Sequence, residues 1–234
     1  MTEPWNVVHV LALRLDPTWR RLPDEARLRD AAAFAEAADT AGARVRTFTY
    51  SMVGLRSDVD LLLWRLGPSV QAMEETAAGL LQAGLGRYLT ATYSMLGLVR
   101  HSQYVKKHTE QEQAMFSGTR AAYLIVYPFV KSTEWYLSPR DDRQRMMNDH
   151  IRIGHQYPMV QQLLAYSFGV DDQEFIVAYE TDDLTAFQDL VQALRATEGR
   201  RYTVRDTPIL VGIHRPLREV LGLLGAPATT RVAP

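Results

Sequence analysis

Runs of apolar and polar positions divide the chain into two similar series of predicted strands and helices. Short runs rich in β-branched and aromatic residues predict strands, and apolar positions that recur at helical spacing predict helices. In the first half the predicted strands are Val7–Leu15, Val45–Leu55, Val59–Leu66 and Leu89–Val99. Helices are predicted after Pro23, ending near Thr40, and after Pro68, ending at Gly84. The predicted order is therefore β-α-β-β-α-β.

The second half repeats this order. Its predicted strands are Tyr123–Val130, Val160–Val170, Glu174–Glu180 and Pro208–His214, and its predicted helices run from Ser138 to Gly154 and from Asp183 to Glu198. The hairpin sequence also recurs, as TYSMVGLRSDVDLLLW in the first half and AYSFGVDDQEFIVAY in the second. These two similarities predict a tandem duplication of a ferredoxin-like split βαβ unit. We therefore expect an α+β fold of the tandem ferredoxin-like, dimeric α+β barrel type, with antiparallel sheets and the helices outside.

This duplication sets the expected domain organisation. Residues 1–100 are the N-terminal ferredoxin-like half, and residues 119–225 are the C-terminal half that carries the candidate site. Residues 101–118 form a polar connection longer than most loops, which suggests a function or a boundary. Residues 226–234 are predicted to be a flexible tail.

Composition narrows the classes of function. The absence of cysteine excludes disulfides, thiolate nucleophiles, cysteine-ligated clusters and zinc fingers. The net charge is -1, and no basic cluster or phosphate-binding loop motif is present, so nucleic acid is not an expected partner. No apolar run approaches the roughly 20 residues that span a bilayer, and the N-terminus lacks a signal-peptide pattern. A cytoplasmic location without a membrane span is therefore expected.

One histidine has an unusual setting. The helix that ends at Gly154 carries arginines and aspartates on one side, whereas its other side has Met146, Met147, His150 and Ile153. A histidine on an apolar stripe needs a partner for its ring nitrogens, and both a metal and a backbone carbonyl remain open. No second ligand lies nearby at zinc spacing, and a single protein ligand suits haem.

A tyrosine and a lysine lie on the strand before this helix. Tyr127 closes an apolar run just before Pro128, where its phenol could act as an acid, a base or a radical relay. The simpler alternative is a tyrosine at a strand edge with its hydroxyl in water. Lys131 and nearby arginines could pair with carboxylates of a ligand.

The segment YPFVKSTEWYLSPRDDRQRMMNDHIRIGHQYP resembles the core signature of the chlorite dismutase-like superfamily, in its coproheme decarboxylase branch. YSMVGLRSDVDLLLWRL, GLGRYL and LRATEGRR also resemble family segments, so the resemblance covers nearly the whole chain. The family's tandem ferredoxin-like architecture agrees with the predicted duplication.

The resemblance implies a role for individual residues. His150 matches the proximal histidine that binds the haem iron, and Tyr127 matches the radical-bearing catalytic tyrosine of a YPxxK motif. Lys131 is the basic residue of that motif, near a reacting propionate. The residues expected to contact the porphyrin in this region are Tyr127, Pro128, Phe129, Val130, Lys131 and Trp135.

The other positions are less uniquely matched. Gln162 matches a distal glutamine of one subgroup and His108 a distal histidine of another, and both remain candidates. In chlorite dismutases proper a glutamate hydrogen-bonds the proximal histidine. That position falls at Gly199, or one residue earlier at Glu198, and a missing carboxylate at Gly199 favours the decarboxylase branch. Phe175 stands where a tryptophan is common.

The resemblance thus implies hydrogen peroxide-dependent oxidative decarboxylation of Fe-coproporphyrin III (coproheme) to haem b. Coproheme is both substrate and redox centre, and two propionates become vinyl groups through a radical on Tyr127. Chlorite dismutation or a haem peroxidase activity is the alternative, against which the lack of a distal arginine argues. A non-enzymatic, oligomeric ferredoxin-like module that binds haem for storage or sensing, or binds no haem at all, is a third interpretation. The resemblance also implies a homopentamer and a transient contact with a ferrochelatase.

Overall fold

The structure is a computed structural model that describes residues 6–100, 104, 115–116 and 119–228. Its described residues form two compact units, one within Met1–Leu96 together with Gly212–Pro234, the other within Gly97–Val211. Both units contain antiparallel strand pairs and helices in the predicted order. The expected α+β class and the tandem ferredoxin-like arrangement are confirmed.

The first unit follows the order β-α-β-β-α-β. Its elements are β1 (Val7–Leu15), α1 (Asp24–Gly42), β2 (Arg46–Ser51), β3 (Leu61–Gly67), α2 (Val70–Gln82) and most of β4 (Leu89–Val99). Strand β3 pairs antiparallel with both β1 and β2. All residues of β3 are buried, as expected of a central strand covered on both faces.

The second unit has the same plan with additions. Its elements are β5 (Tyr123–Lys131), α3 (Thr133–Leu137), α4 (Arg140–Gly154), β6 (Gln161–Tyr166), β7 (Phe175–Thr181), α5 (Leu184–Arg195) and β8 (Thr203–Arg205). Strand β7 pairs antiparallel with β5 and with β6, and the end of β4 pairs with β6. The Asp183 side chain begins α5 by accepting hydrogen bonds from the backbone N–H groups of Thr185 and Ala186.

The end of the chain returns to the first unit. Strand β9 (Leu210–His214) pairs with β2, where His214 lies opposite Tyr50. Helix α6 (Leu217–Leu224) follows and ends at Gly225, whose φ of 115° is in the left-handed region that glycine tolerates. The units thus divide the chain differently from the expected halves, in which residues up to 225 belonged to the second.

Packing explains why α6 lies with the first unit. Val220, Leu221 and Leu224 of this helix are buried in a core that includes Trp19 and Phe34. The sequence interpretation did not include α6, because its apolar run is short and no repeated counterpart follows the first half. No helix in the described part of the chain is long and apolar enough to cross a membrane.

Strand lengths also differ from the prediction at both hairpins. The segments predicted as Val45–Leu55 and Val160–Val170 end as strands at Ser51 and Tyr166. Each is followed by a turn that contains a glycine with positive φ, Gly54 at 76° and Gly169 at 68°. A left-handed residue interrupts the extended backbone, so the apolar residues beside these glycines belong to turns.

Candidate functional site

The second unit contains a partly open cavity of about 260 Å³. One wall is the face of three neighbouring strands, because every second side chain of a strand projects to the same side. The lining residues on this face are Tyr127, Phe129 and Lys131 of β5, Gln162, Leu164 and Tyr166 of β6, and Phe175, Val177 and Tyr179 of β7. Leu163 of β6 and Thr203 of β8 also line the cavity. Helix α4 and the 3₁₀ turn Glu198–Tyr202 supply other lining residues.

Most of the predicted site residues meet at this cavity. Those that line it are Tyr127, Phe129, Lys131, Trp135, His150, Gln162 and Gly199. Pro128 and Val130 occupy the intervening positions of β5 and do not line the cavity. His108 lies outside the described residues.

His150 projects into the cavity from α4. Met146 and Met147 of the apolar stripe expected on this helix line the same region, together with Ile151. Ile153, the fourth member of that stripe, packs instead against the apolar cluster that contains Val160 and Leu190. No hydrogen-bond partner of the His150 ring lies among the described residues. Burial, and then the charge of Lys131, lower the pKa of His150 to about 4. The ring is therefore neutral near pH 7, with a nitrogen lone pair available to a metal.

Lys131 is held by two neighbours at the end of β5. Its Nζ donates a hydrogen bond to the Gly199 carbonyl oxygen at 2.7 Å and lies 4.5 Å from the centre of the Trp135 ring. Burial lowers the pKa of Lys131 to about 8, with a further lowering by Arg200 and an opposing effect of Glu174. The lysine therefore remains mainly charged at pH 7.

Glu174 fixes the backbone at the same place. Its Oε2 accepts hydrogen bonds from the Lys131 backbone N–H at 2.7 Å and from the Tyr136 hydroxyl at 2.5 Å. Hydrogen bonds to an ionised carboxylate are stronger than those between neutral groups. Glu174 thereby ties the end of β5 and α3 to the residue that precedes β7.

Tyr127 has a second tyrosine as its neighbour. The centroids of the Tyr127 and Tyr179 rings lie 6.3 Å apart, at an interplanar angle of 31°. Burial raises the pKa of Tyr127 well above its ordinary value, and the neighbouring Tyr179 raises it further. The Tyr127 phenol is therefore protonated throughout the physiological pH range.

Two arginines add positive charge to the cavity wall. Arg195 and Arg200 both line the cavity and share one oxygen of Asp206, at 2.9 Å and 2.6 Å. A single carboxylate between two guanidinium groups leaves a net positive charge. This wall, with Lys131, is suited to anionic groups of a ligand.

The structure also distinguishes the two adjacent candidates in the 3₁₀ turn. Gly199 lines the cavity, whereas the Glu198 carboxylate forms an ion pair with Arg145 at 2.8 Å, where 44% of its side chain is exposed. The pKa of Glu198 is lowered by this hydrogen bond. The residue of this pair that faces the cavity therefore carries no carboxylate.

Comparison with known proteins agrees with this geometry. The sequence model of the chlorite dismutase family matches residues 24–215. The chain is 34% identical over 185 residues to a coproheme decarboxylase of Mycolicibacterium smegmatis, covering 78% of each chain. It is 27% identical over 216 residues to a coproheme decarboxylase of Staphylococcus carnosus, covering 84% of this chain and 86% of the relative.

The chain belongs to the chlorite dismutase family. Among solved structures it is similar to a mutant chlorite dismutase from Candidatus Nitrospira defluvii, at 27% identity and a TM-score of 0.87. The match covers 96% of this chain and 97% of that chain. Chlorite dismutase from the same organism in complex with imidazole matches with a TM-score of 0.86, the same identity and the same coverage. The resemblance predicted from the sequence motifs is confirmed.

Within this family member, the two units preserve the same local construction. In the first unit the backbone N–H of Leu15, the last residue of β1, donates to Asp60 at 2.8 Å. Lys131, the last residue of β5, donates in the same way to Glu174. These matched hydrogen bonds support the predicted duplication at the level of single atoms.

Equivalent positions of the two units carry different side chains. We aligned the two units on these hydrogen bonds and on the registers of their strand pairs. The alignment places the following residues at equivalent positions: Leu11 with Tyr127, Leu15 with Lys131, Trp19 with Trp135, Phe34 with His150 and Leu85 with Gly199. Every first-unit member of this set is buried in one apolar core. In the second unit the set lines the cavity, because polar or smaller side chains replace leucine and phenylalanine.

Some lining residues were not singled out from the sequence. They are Tyr136, Tyr179, Arg195, Arg200 and Asp206. Glu174 was also not singled out; it does not line the cavity but accepts a hydrogen bond from the backbone of the lining residue Lys131. Strand alternation on β7 was the available signal for Tyr179, since Phe175 lies on the same face. Arg195, Arg200 and Asp206 lie outside the regular strands of the site, so no periodicity marked them.

Proposed function

We propose that this protein catalyses the hydrogen peroxide-dependent oxidative decarboxylation of Fe-coproporphyrin III to haem b. The observation that carries the proposal is the placement of His150, Tyr127 and Lys131 around one cavity. The two relatives named coproheme decarboxylase support the choice of substrate. Bound iron porphyrin supplies the redox chemistry when peroxide is the oxidant.

The cavity residues fit an iron porphyrin. His150 offers a neutral imidazole without a hydrogen-bond partner among the described residues, which suits a metal ligand. Apolar side chains such as Phe129, Leu164 and Val177 offer surfaces for the macrocycle. Lys131, with the arginine pair, offers charge for propionate groups.

Each residue then has one task. His150 holds the iron, and Lys131 binds the carboxylate of a reacting propionate beside Trp135. Tyr127 gives up a hydrogen atom from its phenol and takes one from the propionate β-carbon. The propionate then loses CO₂ and becomes a vinyl group, while one peroxide with one proton yields two waters. The raised pKa of Tyr127 keeps the transferable hydrogen on its oxygen.

A direct assay tests this proposal. Purified protein is loaded with Fe-coproporphyrin III, treated with hydrogen peroxide, and its porphyrin is analysed by mass spectrometry. We expect a mass loss equivalent to one formic acid for each of two propionates. Tyr127→Phe is expected to bind the porphyrin normally and to stop turnover. Undiminished decarboxylation by this variant would overturn the proposed role of Tyr127.

Chlorite dismutation is the second candidate, because the solved structures named above are chlorite dismutases. Gln162 rather than an arginine at the candidate distal position disfavours it. Release of oxygen from chlorite by the haem-loaded protein, at rates far above those of free haemin, would favour this activity instead.

We further propose that the protein acts as a homopentamer that contacts a ferrochelatase transiently. Leu137 and Val204 of the second unit, with exposed fractions of 79% and 67%, are the first positions at which we expect contacts with another chain. Light scattering on the purified protein gives the mass that tests the pentamer. Chemical crosslinking to a ferrochelatase during porphyrin transfer tests the contact.

A further inference from the structure

The amino group of Lys131 is partly buried in the cavity wall without a counter-ion. Its Nζ donates a hydrogen bond to the neutral Gly199 carbonyl oxygen at 2.7 Å. The ring centres of Trp135 and Phe129 lie 4.5 Å and 5.3 Å from the same nitrogen. Within the part of the chain that the structure describes, Lys131 forms no ion pair with a carboxylate. A cation that loses hydration and gains no opposite charge gives up its proton more readily.

The charged groups around Lys131 keep a fraction of it neutral. Arg200 follows Gly199 in the 3₁₀ turn, and both line the cavity. Glu174 accepts a hydrogen bond from the backbone N–H of Lys131, not from its Nζ. Burial, and then the charge of Arg200, lower the pKa of Lys131 to about 8 against an opposing effect of Glu174. His150 is neutral near pH 7 and adds no charge. Near pH 8, therefore, about half of the Lys131 side chains are free amines.

The surroundings of this amine suit an anion made from an apolar reactant. Arg195 and Arg200 share the single carboxylate of Asp206, so this part of the wall keeps a net positive charge. The rings of Phe129 and Trp135 also line the cavity. Carbon dioxide has no charge and no net dipole, so it enters such a cavity without the desolvation that an ion would require.

We propose that Lys131 is a site of reversible carbamate formation by carbon dioxide. The lone pair of the neutral Nζ attacks the carbon of CO₂, so that one C–N bond forms and one C–O π bond opens to a carboxylate oxygen. The proton lost from the nitrogen passes to water. An unpaired cation is thereby exchanged for an anion beside the Arg195–Arg200 pair, which favours the modified form.

This modification makes the cavity sensitive to a product of its own reaction. That part of the inference rests on the proposed function, in which a propionate bound at Lys131 loses CO₂ beside the Nζ. A carbamate on Lys131 repels the carboxylate of the next propionate and removes the charge that binds it. Carbon dioxide should therefore weaken porphyrin binding. Formation of the carbamate itself requires no porphyrin.

The first test detects the carbamate in the full chain without porphyrin. The protein is equilibrated with carbon-13-labelled bicarbonate and CO₂ at pH 8, and triethyloxonium traps carbamates as ethyl esters for peptide mass spectrometry. We expect occupancy of Lys131 to be at least about tenfold higher in the folded protein than in guanidinium chloride, where its pKa returns to the ordinary lysine value.

Two arginine variants test the role of the positive wall. Arg200→Gln removes a charge that both lowers the lysine pKa and attracts the carbamate, so the occupancy should fall. Arg205→Gln removes the same charge from an exposed position of β8 outside the cavity and should leave it unchanged. Equal occupancy in folded and unfolded protein, or in the two variants, would overturn the inference.

The second test measures porphyrin affinity by spectroscopic titration at pH 8 and constant ionic strength. At the CO₂ pressure that modifies half of Lys131, Fe-coproporphyrin III should bind about twofold more weakly by mass action. Its tetra-ester should bind equally with and without CO₂. An equal effect of CO₂ on Lys131→Met contradicts the inference. If Lys131 is trapped as a carbamate but the parent protein fails to decarboxylate, the proposed function fails and the modification stands. Decarboxylation without any trapped carbamate overturns the modification alone.

Discussion

The Nζ of Lys131 lies over the face of the Trp135 indole, 4.5 Å from its centre. Attraction between the cation and the ring offsets part of the desolvation that lowers the lysine pKa. The same nitrogen donates to the Gly199 carbonyl, and no carboxylate among the described residues forms an ion pair with it. The charge of Lys131 is thus positioned but not neutralised, and it remains available to a ligand carboxylate.

Affinity for the porphyrin should depend on the charge of Lys131. Since its pKa is about 8, the side chain is charged below this pH and loses its charge as the pH rises through it. Bound carboxylate raises the pKa, so affinity is expected to fall only above pH 8. At pH 7, Lys131→Met should weaken binding about tenfold or more, as a lost charge-assisted hydrogen bond. Titration with the tetra-ester of the porphyrin, which lacks carboxylates, should show neither effect.

Replacement of Glu174 should move this pH dependence. Glu174→Gln removes the negative charge that raises the pKa of Lys131, so the midpoint of the fall in affinity should shift to lower pH. Asp60→Asn is the matched control, because Asp60 accepts the equivalent backbone hydrogen bond in the first unit. Spectroscopic titration should show no change in porphyrin affinity for that control. Identical midpoints for Glu174→Gln and the parent protein would contradict the effect of the Glu174 charge on the pKa of Lys131.

Equivalent positions of the two units should respond oppositely to truncation. Phe34→Ala removes a fully buried ring and should lower the free energy of unfolding by about 3–5 kcal/mol. His150→Ala removes a side chain that borders a cavity, and the change should be below about 1 kcal/mol. Binding of the porphyrin iron should respond in the reverse sense, with the imidazole that would hold the iron lost only in His150→Ala. Urea unfolding and the absorption spectrum of bound porphyrin give the two measurements.

A carboxylate placed at Gly199 should compete with the substrate. Apart from the two chain neighbours of Gly199, no described residue has an atom within 4 Å of the position that a Cβ would occupy there, so a side chain can be accommodated. Gly199→Glu would bring a carboxylate next to Lys131, which already binds the Gly199 carbonyl. We expect porphyrin affinity to fall about tenfold. Gly199→Gln, of equal size and no charge, separates electrostatic competition from crowding, and equal losses in both variants would favour crowding.

The fold was largely predictable because its signals are periodic. Strands β1 and β4 have the bounds predicted for them, and the order of elements follows from the repeated pattern. Turn residues limited the accuracy of the hairpins, since the conformation of Gly54 and Gly169 overrides the apolar residues beside them. Helix α6 depends on packing against a core assembled from distant segments, which a local pattern does not contain.

The candidate site was predictable where motif and periodicity coincided. His150 stands on an apolar stripe, and Tyr127 and Lys131 are two alternating positions apart on one strand. Glu174 was not singled out, because its role is a hydrogen bond to the backbone of a residue far away in the sequence. Tyr179 was not singled out either, because its place beside the Tyr127 ring follows from a strand register that the structure supplies.

The contrast between the two units bears on how the cavity could have arisen. A cavity lined by desolvated cations lowers the stability of the unit that contains it, and the free energy of unfolding of a single small domain is low. A duplicated chain retains one copy whose leucines and aromatic rings remain packed, and the other copy is free to accumulate smaller and polar side chains. The packed core of the first unit would thus supply stability that the second unit gives up for its cavity, and among the described residues the polar replacements at these equivalent positions lie in the second unit.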